Sequence, residues 1–259
     1  MQINTLLATN TQLTNGTANG AKESNTDSLF ASFNSDFKSE ITDAMRRGAG
    51  NDFVLKLSEN RQRFVELAMM AQQQEPVDSK KFLKSLSFED RQVLQKVHSL
   101  GTSITDSTID RMSGEGADNL LLVPGKGLDA NNDAITETGT AKSFKFPNSN
   151  TPADVAAAWN KSLQGSSPED RLMATASMMT MMFSANIRVD DTGNFLGVNE
   201  PGSANYVNPM ADPNFSYKDW AKGQLEYNEA FKQKIPANVY ERDVQFLTSF
   251  LLNLNSGTA

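Results

Sequence analysis

The sequence predicts a mainly α-helical protein, with a bundle-like core around a buried methionine-rich helix, one small β-hairpin and a disordered N-terminal tail. Two observations predict this fold class. From residue 27 onward, apolar residues recur mostly at helical spacing, and side chains suited to capping precede several of these runs. Residues 186–198 alternate instead as a strand pair does. With 259 residues, the chain can form one large domain or two small ones.

The methionine-rich helix is the element around which this prediction is built. Ser167 can cap its first turn, Pro168 suits the first helical position, and Asp170 completes a capping box. No charged residue occurs from residue 172 to residue 187, so the helix has no charged face to turn toward water. We therefore expect it to pack in the core on several sides.

The same helix has a second interpretation as a binding surface. Thioether side chains repack easily, so an open methionine-rich surface can accept varied partner helices. If part of the helix is open, the candidate binding residues are Met178, Met181 and Met182. At about 100° per residue, one stripe of the helix consists of Leu172, Ala176, Met179 and Phe183.

Composition excludes several classes of function. The net charge is −7, the sequence pI is about 4.9, and basic residues form only isolated doublets such as Lys80-Lys81. Nucleic-acid binding is therefore not expected, because affinity for the phosphate backbone needs clustered Lys and Arg. Cysteine is absent, which removes disulfides and thiolate chemistry. No apolar run reaches the roughly 20 residues of a membrane span.

Residues 1–26 are dominated by Thr, Asn, Gln, Ser and Gly, and we expect them to form a disordered tail. They lack the basic start and apolar block of a cleaved signal peptide. In its weakly charged, Ser/Thr/Asn/Gln-rich composition the tail is similar to the uncleaved export tails of type III and flagellar secretion substrates. The alternative is an ordinary frayed terminus. The expected location is the cytoplasm, or outside it by a route without a cleaved signal peptide.

Residues 27–112 are predicted to form an N-terminal helical block. A first amphipathic helix spans residues 27–48, and a second follows whose apolar stripe is interrupted by Asn60, which allows a break near that residue. Asp78 opens a short helical piece, and Ser87-Phe-Glu-Asp opens a third helix with a capping box. The stripe of the first helix consists of Phe30, Phe33, Phe37, Ile41 and Met45.

Residues 113–150 are rich in Gly, Asn and Asp, and residues 120–123 are their one apolar run of strand length. A segment this long without clear structure is unusual inside a compact domain. We interpret it as a loop or linker between two helical blocks. A functional loop and a pair of short strands are the alternatives.

Residues 151–259 are predicted to form a second helical block with the β-hairpin. One helix begins at Thr151, and the methionine-rich helix follows it. Residues 186–198 alternate around an Asp-Asp-Thr-Gly-Asn turn, which is typical of a β-hairpin. Ser216 begins a further capping box, and the last helix begins at Pro236. The residues expected to face inward are Val155, Trp159 and Leu163 on the first helix and Leu247, Phe250 and Leu254 on the last.

The chain lacks the motifs of common metal and cofactor sites. His98 is the only histidine, which removes most zinc and iron sites, and we interpret it as a solvated surface residue. Asp129, Asn131 and Asp133 match ligand positions of a calcium loop, but the required Gly and Glu are replaced, which favours a turn-rich loop. No phosphate-binding loop or serine elbow occurs. No metal, cofactor or catalytic residue is predicted.

These observations predict a non-enzymatic soluble protein-interaction or assembly protein with a protein partner, and a secretion-linked cargo if the tail is an export signal. Tyr217, Trp220 and Tyr227 are further candidate binding residues, because the tyrosines cluster near this tryptophan. Aromatic residues beside carboxylates also suit a sugar cleft, so the alternative is a glycan-acting hydrolase with two paired carboxylates, one of raised pKa. Its candidate carboxylates are Asp190, Asp191, Glu200, Glu226 and Glu229. The sequence leaves the oligomeric state open.

Overall fold

A computed structural model describes residues 46, 48, 50–74 and 78–256. The chain divides into two compact units, Met1–Gly127 with Glu137–Ala141 and Leu128–Thr136 with Lys142–Ala259. The predicted tail lies outside the described residues, as does nearly all of the first predicted helix. No helix of the described part is long and apolar enough to cross a membrane.

The first unit is helical, because its apolar residues recur three and four positions apart. Its helices are α1 (Asn51–Gln72), α2 (Ser79–Ser85), α3 (Phe88–Val97), α4 (Asp106–Arg111) and α5 (Gly114–Asn119). α1 is continuous, without a break at Asn60, since this residue lies at the partly exposed edge of the helix. Large and almost fully buried core residues of this unit are Phe64, Leu67, Phe82, Leu83, Leu94, Ile109 and Leu120.

Side-chain caps fix where several of these helices begin. The Asp78 carboxylate accepts a backbone N–H of α2 at 3.0 Å, and Ser87 Oγ accepts the Asp90 N–H at 3.1 Å. Both residues are predicted helix starts. A complete capping box lies at Thr105, whose backbone N–H donates to the hydroxyl of Thr108 at 2.7 Å.

The segment 113–150 contains a helix and two strands. The apolar run 120–123 follows α5 as a turn, and its first two leucines are buried in the core of the first unit, so it is not a strand. β1 (Ile135–Thr138) and β2 (Ala141–Phe144) form a two-stranded sheet, with Gly139 between them at φ +60°. Of the three interpretations of this segment, a pair of short strands therefore describes residues 135–144.

The second unit packs its helices around aromatic side chains. Its elements are α6 (Ala153–Ser162), α7 (Pro168–Asn186), β3 (Ile187–Val189), β4 (Phe195–Val198), α8 (Tyr217–Ala230) and α9 (Ala237–Ser256). Trp159 lies edge-on to Phe146, with ring centroids 4.5 Å apart, and edge-on to Phe246 of α9 at 4.8 Å. Five of the six residues that periodicity predicts to face inward are buried, namely Val155, Trp159, Leu163, Leu247 and Phe250, and the sixth, Leu254, is partly buried against the same core.

The described residues are mainly helical, with two small β-hairpins. This confirms the predicted fold class and adds the hairpin of β1 and β2 to the predicted one. The methionine-rich helix is α7, and it begins where predicted, with Ser167 Oγ accepting the Asp170 N–H at 3.1 Å and Pro168 in the first turn.

Candidate functional site

One face of α7 is buried in the second unit. Ala174, Met178 and Met182 lie four residues apart along the helix, and all three are buried. Ala174 and Met178 belong to the same core cluster as Trp159 and Phe250. This face therefore fixes α7 to the rest of the unit.

The opposite face of α7 is exposed, although it is equally apolar. Leu172 is 62% exposed, and Met179 and Phe183 are each 52% exposed. These residues and the partly buried Ala176 are called the exposed stripe below. Packing was expected on several sides of the helix, and the structure provides it on one. Periodicity could not distinguish the two faces, because both are apolar.

The hairpin that follows α7 is also apolar and exposed. Val189 lies opposite Phe195 in the antiparallel register, so their side chains point to the same face of the ribbon. Val189 is 56% exposed and Phe195 is 65% exposed. Ile187 and Leu196 are exposed as well. The exposed stripe and these four hairpin residues are together called the α7–hairpin surface.

Asp190 holds the turn of this hairpin. Its carboxylate accepts hydrogen bonds from the Thr192 hydroxyl at 2.7 Å, the Asn194 amide at 2.9 Å and the Asn194 backbone N–H at 2.8 Å. These hydrogen bonds lower the pKa of Asp190, because they stabilise the ionised form. Its observed role is therefore that of a turn residue.

Asn186 joins the end of α7 to the chain beyond the hairpin. Its buried amide donates to the carbonyl oxygens of Met182 at 2.9 Å and Val207 at 2.8 Å. Its Oδ1 accepts the backbone N–H of Val207, also at 2.8 Å. A buried amide with these partners fixes the local geometry. The sequence analysis gave Asn186 no such role, and its signal is only a lone amide at the end of an apolar helix.

The candidate methionines lie mostly on the buried side of α7. Met178 and Met182 are buried, and Met181 is partly buried against the same core. The methionine of the exposed stripe is Met179, which follows Met178 in sequence and lies about 100° further around the helix, outside the core. The structure thus brings Leu172, Met179 and Phe183 to the surface of this helix, where the sequence analysis selected other residues.

The three aromatic candidates are divided between core and surface. Tyr217 and Trp220 pack against the aromatic core, and burial raises the pKa of the Tyr217 hydroxyl. The buried indole N–H of Trp220 has no hydrogen-bond acceptor among the described residues. Tyr227 is exposed, with its ring centroid 4.7 Å from that of Phe231. Of the three, Tyr227 alone presents a largely open ring.

His98 is partly buried, so its interpretation as a solvated residue is wrong. Its Nε2 lies 3.0 Å from the backbone oxygen of Leu120, and its ring packs edge-on against Phe64 with centroids 5.6 Å apart. The cause is that α3 ends at this residue, and the ring turns toward α1 and the turn after α5.

The calcium-like loop is a turn closed by its own backbone. The buried Asp129 carboxylate accepts the N–H groups of Asp133 at 3.0 Å and Ala134 at 2.9 Å, and the Asn148 amide at 3.1 Å. Burial raises the pKa of Asp129. Both carboxylate oxygens of Asp129 are therefore engaged as hydrogen-bond acceptors within the loop. Among the described residues, no three His, Asp or Glu side chains are grouped so that they could hold a metal ion.

The carboxylates considered for glycan hydrolysis belong to the β3–β4 hairpin, the loop after it and α8. Glu229 accepts the hydroxyl of Tyr240 at 2.6 Å. A cavity of about 460 Å³ beside Phe88 and a second of about 120 Å³ beside Met112 are lined by residues of the first unit. None of the five carboxylates lines either cavity. Besides Glu229 and the turn residue Asp190, the candidate carboxylates are Asp191, Glu200 and Glu226, and all three are exposed.

Comparison with protein-family models, curated proteins and solved structures finds no match to this chain. The functional argument therefore rests on the α7–hairpin surface. Its side chains are apolar and lack nucleophiles and titratable groups, so what this arrangement can do chemically is bind another apolar surface.

Proposed function

We propose that this protein is a non-enzymatic interaction or assembly protein that binds another polypeptide through the α7–hairpin surface. The observation that carries the proposal is the exposure of Leu172, Met179 and Phe183 on a helix whose other face is buried. A helix that only stabilised its own unit would gain by placing polar residues at these positions. Their apolar character is explained if a partner covers them.

The size of the exposed area supports this function. A large side chain that is about half exposed presents roughly 60 to 100 Å². The three large side chains of the exposed stripe together present roughly 200 to 300 Å², which is near the lower end of the largest apolar patch of a typical monomer. Such patches commonly mark an interaction site.

The lack of charge along the exposed stripe of α7 limits the kind of partner it can bind. No charged residue occurs from residue 172 to residue 187, and Arg188 is the first beyond the helix. A charged group facing this stripe would lose hydration without finding an ion-pair partner, which is unfavourable. The partner is therefore a polypeptide with an apolar helix face or groove.

The hairpin offers a second means of contact. In the described residues its sheet contains β3 and β4 alone, so each strand has one edge without a neighbouring strand. Unpaired strand edges can accept an added strand from another chain. A two-stranded hairpin is also marginally stable in water, and a partner that covers it would stabilise it.

Affinity capture with two matched variants tests this function. Phe183→Glu places a charge in the exposed stripe, and Asn160→Glu places the same charge on an exposed position of α6. Tagged chain is incubated with lysate of the source cells and with untagged chain, and recovered proteins are quantified by mass spectrometry. We expect at least one protein whose recovery falls about tenfold or more with Phe183→Glu alone. Equal recovery of every protein with both variants would refute the proposal.

We further propose that residues 1–26 serve as an export or docking signal of the type III or flagellar kind. The support is their composition, which is weakly charged and rich in Ser, Thr, Asn and Gln. The test compares the full chain with a chain lacking these residues, in cells with and without a working secretion apparatus. Export that needs both the tail and the apparatus is the expected result. Retention of both chains in the cells contradicts it.

A further inference from the structure

We propose that the occupant of the exposed stripe is a second copy of this chain, with the two α7 helices packed antiparallel about a twofold axis. This inference rests on the proposed function, since it names the partner of the same surface. It follows from the spacing of the stripe, its symmetry, the absence of charge beside it and its exposed area.

The stripe has the spacing of a coiled-coil seam. Leu172, Ala176, Met179 and Phe183 are separated by four, three and four residues. Apolar residues that alternate between spacings of three and four keep one seam of a helix against a partner helix over successive turns. A helix of 19 residues that exposes such a seam offers about three turns for side-chain interdigitation.

The seam is symmetric about its own midpoint. Leu172 and Phe183 are equally far from the point between Ser177 and Met178, and so are Ala176 and Met179. An antiparallel twofold pair therefore places each Leu172 beside Phe183 of the other copy. It also places each small Ala176 beside the large Met179. Such pairing of the same patch on both copies is what a twofold interface requires.

The flanks of the seam do not oppose this contact. The residues next to it along the helix, Met173, Thr175 and Thr180, are uncharged. Two copies can therefore approach without like-charge repulsion at the seam, although the chain carries a net charge of −7. Antiparallel packing also sets the positive N-terminal end of each helix beside the negative C-terminal end of the other.

The exposed area indicates a reversible dimer. A standard interface buries about 800 Å² on each partner, whereas the large side chains of the exposed stripe present roughly 200 to 300 Å² of apolar area. We therefore expect a dissociation constant in the micromolar range or above.

Cysteine cross-linking tests the proposal directly, because the chain contains no cysteine. Leu172→Cys and Phe183→Cys chains are oxidised separately and as a mixture. In the antiparallel pair, Leu172 of one copy lies about 16 Å along the axis from Leu172 of the other, which is too far for a disulfide. We expect the mixture alone to give a covalent dimer of the two different variants, and an Asn160→Cys plus Phe183→Cys mixture to give none.

Sedimentation equilibrium of chains without introduced cysteines supplies the second measurement. We expect the association constant of the wild-type chain to fall at least about tenfold with Phe183→Glu and to be unchanged with Asn160→Glu. Equal cross-linking of each cysteine variant with itself, or a chain that stays monomeric to about 1 mM, would overturn the dimer. If capture then still finds a different polypeptide that needs Phe183, the proposed function stands without it. If capture also finds nothing, both are wrong.

Discussion

The packing of Gly116 against Gly139 makes a sharp prediction for the first unit. The Gly139 N–H donates to the Gly116 carbonyl oxygen at 2.7 Å, which joins α5 to the β1–β2 turn. A Cβ on Gly116 would lie 2.2 Å from the Gly139 carbonyl oxygen and 3.2 Å from Ser113 Oγ. The first of these distances is far inside van der Waals contact, and its partner is backbone. Gly116→Ala therefore forces the turn away from the helix.

The expected loss of stability follows from two contributions. Overpacking of this kind costs about 1 to 3 kcal/mol, and weakening the Gly139 to Gly116 hydrogen bond costs about 1 kcal/mol more. The better helix propensity of Ala returns at most about 1 kcal/mol. The net destabilisation by Gly116→Ala is thus about 2 kcal/mol, which lowers the midpoint of thermal unfolding by roughly 10 °C for a unit of this size.

Gly223→Ala is the matched control. Gly223 lies exposed in the interior of α8, and a Cβ there would meet nothing within 4 Å. The same substitution is therefore expected to stabilise the second unit by about 0.5 to 1 kcal/mol. Urea and thermal unfolding followed by circular dichroism measure both variants. If Gly116→Ala changes stability by less than about 0.5 kcal/mol, the reasoning from the close approach is wrong.

Three further substitutions probe other contacts by urea unfolding. Asp90 receives Arg63 Nε at 2.7 Å, and this hydrogen bond lowers its pKa, so Asp90→Asn removes about 1 kcal/mol or less near neutral pH after allowance for solvent. That difference is fully present above the ordinary aspartate pKa of about 3.9 and is lost as the pH falls through the lowered pKa of folded Asp90. A difference that does not shrink as the pH is lowered contradicts it. Asp129→Asn turns an amide NH₂ toward backbone N–H groups that now donate to the carboxylate, and we expect it to lower stability by about 1 to 3 kcal/mol. Unchanged stability would mean that those hydrogen bonds contribute nothing. Asn186→Ala leaves the Val207 N–H without its acceptor and is expected to lower stability by about 2 kcal/mol and to speed proteolysis near residue 207. If the rate of proteolysis there is unchanged, Asn186 does not hold this segment in place.

Much of the fold was predictable, because its signals are local. Ser87 and Ser167 are capping residues that a single sequence reveals, and both begin helices in the structure. The turn around Asp190 is equally local, since Asp, Gly and Asn tolerate its backbone conformation. Trp159 and Phe250 are buried as the helical period predicts.

The candidate site was only partly predictable, because exposure depends on contacts between distant parts of the chain. Met178 and Met179 are chemically identical neighbours, yet one is fully buried and the other is half exposed. Nothing in an uncharged helix marks which side meets the core. His98 was misjudged for a related reason, since its partner at Leu120 is 22 residues away in sequence.

Oxidative footprinting of Met178 and Met179 tests the central claim, that the exposed stripe is a binding surface, most directly. In dilute purified protein, we expect Met179 to oxidise readily and Met178 to be protected, because the first is 52% exposed and the second is fully buried. Met69, which is 47% exposed on α1, serves as the control outside the surface. In intact source cells, the account predicts that Met179 becomes protected while Met69 still reacts. If Met179 oxidises in cells, and in purified protein at about 1 mM, as readily as in dilute solution, the surface is unoccupied and the proposed function is contradicted.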